Sequence, residues 1–256
     1  MRPPEGPSIS RFFDAMAAGR DAMIDADPVY RFEQAARQRA VVSLLRLAPR
    51  LSVLDLGCGN ARDLACLLGE QPEARLMGVD LSFGMIREGR MGLGARGGHV
   101  GLVVGDAARL PVRSESFDRV VCSEVVEHVP AWRDVVAEAA RVLRRGGLLV
   151  LTTPNRRGIY GLDRATLGRI VDWLRPATHP YDEWKNPAEV ETVLVAAGLR
   201  IGERRGICYL PGYTFTYRLP AAAKRTLARL AMDGEAGLGR RFPRLGYMFG
   251  LSAVKE

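Results

Sequence analysis

The stretch Val53-Leu54-Asp55-Leu56-Gly57-Cys58-Gly59-Asn60-Ala61-Arg62-Asp63 decides how the chain is read. An apolar run from Leu51 to Leu56 carries a single acid, Asp55, and breaks into Gly57-Cys58-Gly59-Asn60 before a helical pattern begins. That order predicts a strand, a tight glycine turn and a helix. Glycine has no Cβ, so Gly57 and Gly59 permit positive φ and let the backbone come close to a ligand. The ligand would meet a helix N-terminus, where free N–H groups and the helix dipole favour negative charge. Taken alone, such a turn can also do no more than join a strand to a helix.

Outward from this stretch, strands and helices alternate. Arg75 to Asp80 predicts a second strand ending in an acid, followed by Ser82 as a helix cap. Val100 to Val104 is a third strand closed by Gly105-Asp106, and Phe117 to Cys122 a fourth. Trp132 to Arg144 predicts a helix stopped by Gly146-Gly147, with a fifth strand from Leu148 to Thr153. Leu199 to Cys208 and Leu245 to Val254 read as the last two strands, the second antiparallel. The expected fold class is therefore α/β: a doubly wound, Rossmann-like, seven-stranded mixed sheet. Ligands of such sheets sit outside the carboxyl ends of the strands, at the switch point beside the first strand. Asp55, Gly57, Asp80, Asp106, Ser123, Glu124, Thr153 and Asn155 fall at those ends.

Residues 1–48 precede the first strand as an N-terminal helical addition, and residues 49–256 form the sheet domain. Apolar residues from Ile9 to Ile24 recur at helical spacing until Pro28 interrupts, and a second helix is expected from Val29 to Leu47. The addition could cap a ligand or simply pack. Two segments interrupt the later alternation. Residues 156–186, with a helix expected over Tyr160 to Arg175, form an acceptor-side insertion. Residues 209–244 form a basic insertion containing a helix from Ala221 to Met232 and a glycine-rich connector.

The chain has 256 residues, 47% of them hydrophobic, enough to bury a full core in one elaborated domain. No apolar run approaches the ~18 residues of a spanning helix, and MRPPEGPSIS has no secretory signal character, which points to the cytoplasm. Cys58, Cys66, Cys122 and Cys208 are scattered without a CxxC pair, which argues against a zinc site or disulfide framework. The net charge of +8 comes almost wholly from arginine, and residues 200–256 hold eleven Lys or Arg against four Asp or Glu. That segment is either a solvated surface or a face for RNA, an acidic substrate or an anionic lipid, which leaves peripheral membrane contact open.

An acid about 20 residues beyond a glycine turn can accept hydrogen bonds from ribose hydroxyls, and Asp80 is so placed. The dinucleotide fingerprint needs a third glycine at position 62, where this chain has Arg62. Asp106 has little to offer a pyrophosphate and suits an adenine amino group. The segments VLDLGCGNARD, GVDLS, GDAARLPVRSESFDRVV and LRRGGLLVLTTPN resemble class I S-adenosylmethionine-dependent methyltransferases over most of residues 51–155. The resemblance implies S-adenosyl-L-methionine as cofactor. It implies Gly57 and Gly59 at the methionine end, Asp80 with Leu81 at the ribose, and Asp106 with the Ala107 backbone at the adenine. Asp55 would face the methionine ammonium, and Ser123 completes the cofactor set.

Methyl transfer from a sulfonium is an in-line displacement that needs positioning and exclusion of water, and a base only where the acceptor must lose a proton. Ser123-Glu124-Val125-Val126-Glu127-His128-Val129 comes directly after the fourth strand. One helical turn would bring Glu124 beside Glu127 and His128. His128 could be a general base, since imidazole ordinarily titrates near neutrality. Alternatively, Glu124, Glu127 and His128 could hold a divalent ion, or the turn could be structural. TTPN, WLRPATHPYDEWKNPAEVETVLVAAGL and GICYLP resemble, more loosely, the ubiquinone-biosynthesis O-methyltransferases. That likeness implies a phenol- or catechol-like acceptor and magnesium or zinc on the Glu124, Glu127, His128 cluster. Sugar, polyketide and lipid acceptors stay open. RNA is disfavoured because Ser123-Glu124 stands where a base-methylating Asn/Asp-Pro-Pro-Tyr/Phe motif would be, and nothing suggests DNA. A non-catalytic scaffold would not need the acids and glycines that are present.

Overall fold

The computed structural model describes residues 6–158, 182–209 and 219–256. Three helices come first: α1 (Gly6–Ala17), α2 (Arg20–Ala26) and α3 (Pro28–Leu45). The sheet region starts with β1 (Ser52–Leu56), α4 (Arg62–Glu70), β2 (Arg75–Asp80), α5 (Phe83–Leu93), a 3-10 turn, β3 (Val100–Val104), β4 (Phe117–Ser123), α6 (Trp132–Val142) and β5 (Leu143–Pro154). The chain closes with α7 (Pro187–Ala196), β6 (Leu199–Ile207), α8 (Ala221–Arg241) and β7 (Met248–Lys255). One seven-stranded sheet has the order β3-β2-β1-β4-β5-β7-β6. β1 pairs in parallel with both β2 and β4, and β7 runs antiparallel between β5 and β6. The order reverses at β1, so the switch point lies beside Asp55 and the glycine turn, and the expected mixed doubly wound sheet is the one found.

Side chains alternate between the two faces of a strand, so successive residues of β1 serve two different cores. Leu54 and Leu56 enter the core under α6 and α7, with Val120, Trp132, Val136, Leu151 and Leu194. Val53 enters the opposite core under α3, α4 and α5, with Val41, Leu44, Leu45, Leu64 and Ile86. Asp55 shares the face of Val53, so period two alone aims it at α3 and α4. Leu54, Leu56, Leu44 and Leu64 are fully buried, and truncating one such leucine to alanine costs about 2–5 kcal/mol.

Several boundaries differ from the sequence expectation. The first helix is two, because Gly19 interrupts it ahead of α2, glycine being the costliest ordinary residue in a helix interior. The glycine pair after α6 does not separate helix from strand. β5 begins at Leu143, and Gly146 (φ 74) lies inside it where the register against β4 shifts between Phe117 and Arg119. The glycine-rich connector after Met232 is helical, and a Cβ on Gly239 would meet Gly206 O at 2.5 Å. Glycine there lets α8 lie against β6. Lys224 of this basic helix is buried and paired with Asp27 at 2.6 Å, whereas Arg225, Arg229, Arg240 and Arg241 are exposed. The helix expected over Tyr160 to Arg175 lies outside the described residues. No described helix is long and apolar enough to cross a membrane.

At the end of the sheet away from the switch point, Asp118 joins three strands. It accepts from Ser52 N at 2.8 Å, Ser52 Oγ at 2.7 Å and Arg144 Nη1 at 2.7 Å. Burial pushes its carboxyl up, but these donors outweigh burial and hold it at about 2. A carboxylate depressed on folding contributes stability above its ordinary range, near 4, and loses it as pH falls toward 2. Asp118→Asn is therefore expected to cost about 1 kcal/mol at pH 7, after allowance for partial exposure. Urea melts should show that difference shrinking between pH 4 and pH 2.

Candidate active site

The turn after β1 is held by the end of β2. Gly57 N and Cys58 N both donate to Val79 O, at 2.8 and 3.1 Å. Gly57 (φ 65) and Gly59 (φ 52) are left-handed, and so is Ala61 (φ 62), the residue that caps α4. The glycines differ in what they permit. A Cβ on Gly57 would strike Val125 Cγ2 at 2.5 Å, whereas one on Gly59 would meet nothing within 4 Å. Gly57 thus serves packing against the turn after β4, and Gly59 opens on space a ligand can use. Cys58 packs on Gly78 of β2, where an added Cβ would sit 2.6 Å from its sulfur. Burial, with Asp55 and Asp80 adding to it, raises the Cys58 thiol well above its ordinary value and leaves it unreactive.

Asp55, Asp80 and Asp106 come from the ends of three strands and line one cavity of about 640 Å³. Gly57, Gly59, Leu81, Ala107, Ser123, Glu124, Glu127 and His128 line it too, so every site residue expected from the sequence is brought together. Asp80 Oδ2 accepts from Gly59 N and Oδ1 from Ser82 N, both at 2.8 Å. Asp106 Oδ1 accepts from Ala108 N at 2.9 Å. Both acids cap turns and face the cavity, since a carboxylate has more acceptor sites than these bonds use. Burial drives Asp55 well above the carboxylate range, with Asp63 and Asp80 adding and Arg37 opposing.

Ser123 ends β4, and Glu124 comes next with φ 57, another left-handed non-glycine at the cavity. Such strain is tolerated chiefly where the surroundings fix it. Glu124 Oε1 accepts from Thr152 Oγ1 at 3.2 Å, and Glu127 Oε2 from Thr153 Oγ1 at 2.9 Å. Glu127 Oε1 is buried without a hydrogen-bond partner and lies 3.9 Å from His128 Nε2. Burial, reinforced by Glu127, pushes Glu124 up to about 8. Burial, reinforced by Asp182 against the Thr153 hydroxyl, does the same to Glu127. Among the described residues, no three His, Cys, Asp or Glu side chains stand where they could hold one metal ion.

Residues of α3 complete the site and were not evident in the sequence. Arg37 donates to both oxygens of Asp63, to Ser123 Oγ and to Gln34 Oε1, joining α3, α4 and the end of β4. Burial works against the Asp63 carboxylate, but Arg37 outweighs it and holds the group below its usual range. Glu33, one turn earlier, lines the cavity and is pushed up to about 8 by burial, with Glu124 and Asp27 adding. The spacing of Glu33 and Arg37 beside the Phe32, Ala36, Ala40 stripe was the available signal, and an exposed helical charge pair looks the same. Lys185 is also buried, 2.9 Å from Glu183 and 5.1 Å from the Trp132 ring centre.

The N-terminal helices cover the cavity with Phe13, Met16, Arg20, Met23 and Ile24. Asp14 Oδ1 accepts from Ser82 Oγ at 2.6 Å and Gly84 N at 2.8 Å, capping α5 from a distance. Asp21 Oδ1 accepts from Asn60 Nδ2 and Arg62 Nη1, each at 2.7 Å. Phe13 packs edge-on to His128, ring centres 5.7 Å apart.

The sheet order and the glycine turn after the first strand are those of an α/β methyltransferase fold, and the comparisons agree. Residues 54–151 match a family described as a methyltransferase domain. The ubiquinone biosynthesis O-methyltransferase of Sinorhizobium medicae (strain WSM419) is 34% identical over 169 residues, 63% of this chain and 64% of that protein. The one from Brucella anthropi is 32% identical over 173 residues, 64% of this chain and 67% of that protein. The chain thus spans about 64% of the length of the Sinorhizobium relative. Magnesium protoporphyrin IX methyltransferase from Synechocystis PCC 6803, with bound SAH, shares the fold at a TM-score of 0.67 and 19% identity, over 98% of this chain and 100% of that one. A SAM-dependent methyltransferase from Thermotoga maritima does so at 0.66 and 19%, over 97% and 100%. The chain belongs to the class I S-adenosylmethionine-dependent methyltransferases.

Asp80→Ala strips the acceptor from Gly59 N and removes a carboxylate from the cavity at once. It is expected to weaken S-adenosylhomocysteine binding by roughly 30-fold or more. Calorimetry that finds unchanged affinity would remove Asp80 from the site.

Proposed function

We propose that this protein transfers a methyl group from S-adenosylmethionine to a hydroxyl oxygen of a small phenol- or catechol-like acceptor. The observation that carries the reading is the shared cavity. The strand-end acids Asp55, Asp80 and Asp106 line it together with the Glu124, Glu127, His128 turn. In this reading Asp80 takes the ribose hydroxyls, Asp106 the adenine amino group, and the Ala107 backbone lies along the adenine edge. Gly57 and Gly59 border the methionine, and Asp55 faces its ammonium. The hydroxyl acceptor is supported by the curated relatives named O-methyltransferase.

When bound, the cofactor supplies an electrophilic methyl carbon on a sulfonium, and charge disperses as it is displaced. The protein's part is to align the acceptor oxygen, exclude water and take the hydroxyl proton. His128 Nε2, 3.9 Å from Glu127 Oε1, accepts that proton. Phe13 against His128 keeps the imidazole turned to the cavity. The acceptor leaves as a methyl ether, and the former C–S bonding pair stays on sulfur.

One observation favours a second reading. Glu127 Oε1 is buried and unpartnered beside a second carboxylate of raised pKa, and a cation would relieve both. Glu124, Glu127 and His128 are the residues that would hold magnesium or zinc, and such an ion would supply a lowered pKa for the acceptor hydroxyl, but at their present positions the three do not form a site for one.

His128→Ala is expected to lower kcat by 10²- to 10⁴-fold while leaving S-adenosylhomocysteine affinity unchanged. Wild-type turnover of a catechol at full rate in excess chelator is expected if His128 is the base. Loss of turnover in chelator, restored by magnesium or zinc, would give the step to the ion instead.

A further inference from the structure

Three arginines line the cavity among the described residues: Arg20, Arg37 and Arg62. Two are satisfied within the protein. Arg37 is spent on Asp63, Ser123 and Gln34. Arg62 donates to Asp21 at 2.7 Å and to Asp25 at 3.2 Å. Arg20 has neither hydrogen bond nor ion pair among the described residues, although its guanidinium is partly buried. Its charged neighbours are Arg37, Asp80 and Asp21, none of them in contact with it. A guanidinium withdrawn from water without a counter-ion is costly, so the position is poised for an anion from outside the protein.

The placement of Arg20 is fixed from both sides. It is the first residue of α2, and the next residue, Asp21, is bound to Asn60 and Arg62 at the glycine turn. On the other side, α1 is held to the N-terminus of α5 through Asp14. The cofactor is neutral at adenosine and positive at sulfonium and ammonium. Its only anionic group is the methionine carboxylate, and the turn that borders the methionine end lines the same cavity as Arg20. We infer that Arg20 receives the methionine carboxylate, so that the N-terminal helices read the amino-acid half of the cofactor and close over it. The inference rests on the cofactor reading and adds a residue that lies outside the sheet domain. Burial and the nearby Arg37 lower the affinity of Arg20 for its proton, and Asp80 and Asp21, which form no ion pair with it, only partly oppose them.

The test compares two ligands that differ in the carboxylate. S-adenosylhomocysteine carries it, and S-adenosyl-3-thiopropylamine keeps the adenosine, thioether and amine without it. Titration calorimetry on the full chain should find that Arg20→Gln weakens S-adenosylhomocysteine by roughly 30-fold or more. Affinity for the decarboxylated ligand should stay within about two-fold. Arg20→Lys should fall between wild type and Arg20→Gln, because it keeps the charge and loses the two-pronged geometry. Equal loss for both ligands would make Arg20 a packing residue and overturn the proposal, as would undiminished S-adenosylhomocysteine affinity in Arg20→Gln. Wild-type protein that binds neither ligand would fail at the cofactor reading itself and take the proposal with it.

Discussion

The guanidinium of Arg37 is the contact on which the arrangement of the site depends. It is nearly buried, and its partners come from different parts of the chain: Asp63 at the start of α4, Ser123 at the end of β4, and Gln34 on its own helix. Removing one member of a buried ion pair leaves the other uncompensated, typically at 3–5 kcal/mol. α3 is therefore held to the carboxyl end of the sheet by charge, and along its length by Val41, Leu44 and Leu45 in the core. With α3 fixed, α2 and α1 have a defined path back across the glycine turn, and the cavity has a roof.

How much of this the sequence disclosed depends on the kind of signal involved. The turn at Gly57, the acids at and just beyond the ends of β2 and β3 and the alternation of strands are local patterns with fixed spacing, so the sheet and the strand-end residues that line the cavity were legible. The face of Asp55 could be deduced from period two within β1. Arg37, Glu33 and Arg20 could not, because each lies on a helix where polar residues are ordinary; Arg37 matters through contacts 26 and 86 positions away, with Asp63 and Ser123, and Glu33 and Arg20 through the cavity they line. The glycines of α8 misled for a similar reason. Glycine usually ends helices, but Gly239 lies in one because its missing Cβ admits the backbone of Gly206. At β5 the pair Gly146-Gly147 is a bulge inside a strand, which resembles a helix stop when only composition is seen.

The charges around the turn bear on which nucleotide the fold accepts. In dinucleotide sites a helix N-terminus and bare backbone receive a pyrophosphate. Here the corresponding helix begins with Arg62, whose charge is taken by Asp21 and Asp25, and Asp14 already occupies the N-terminus of α5. Asp55, Asp80 and Glu124 add further acid to the cavity. Burial pushes Asp55, Asp80 and Glu124 toward their neutral forms; a sulfonium with an ammonium brought beside them draws them back to the ionised forms, whereas a pyrophosphate opposes their ionisation further. The same carboxylates attract the neutral thioether left after transfer less strongly than the sulfonium, so the electrostatics that favour loading also favour release of the product. The selectivity of the cavity thus comes from acids placed by three strands and two N-terminal helices around a turn whose backbone alone would accept either ligand.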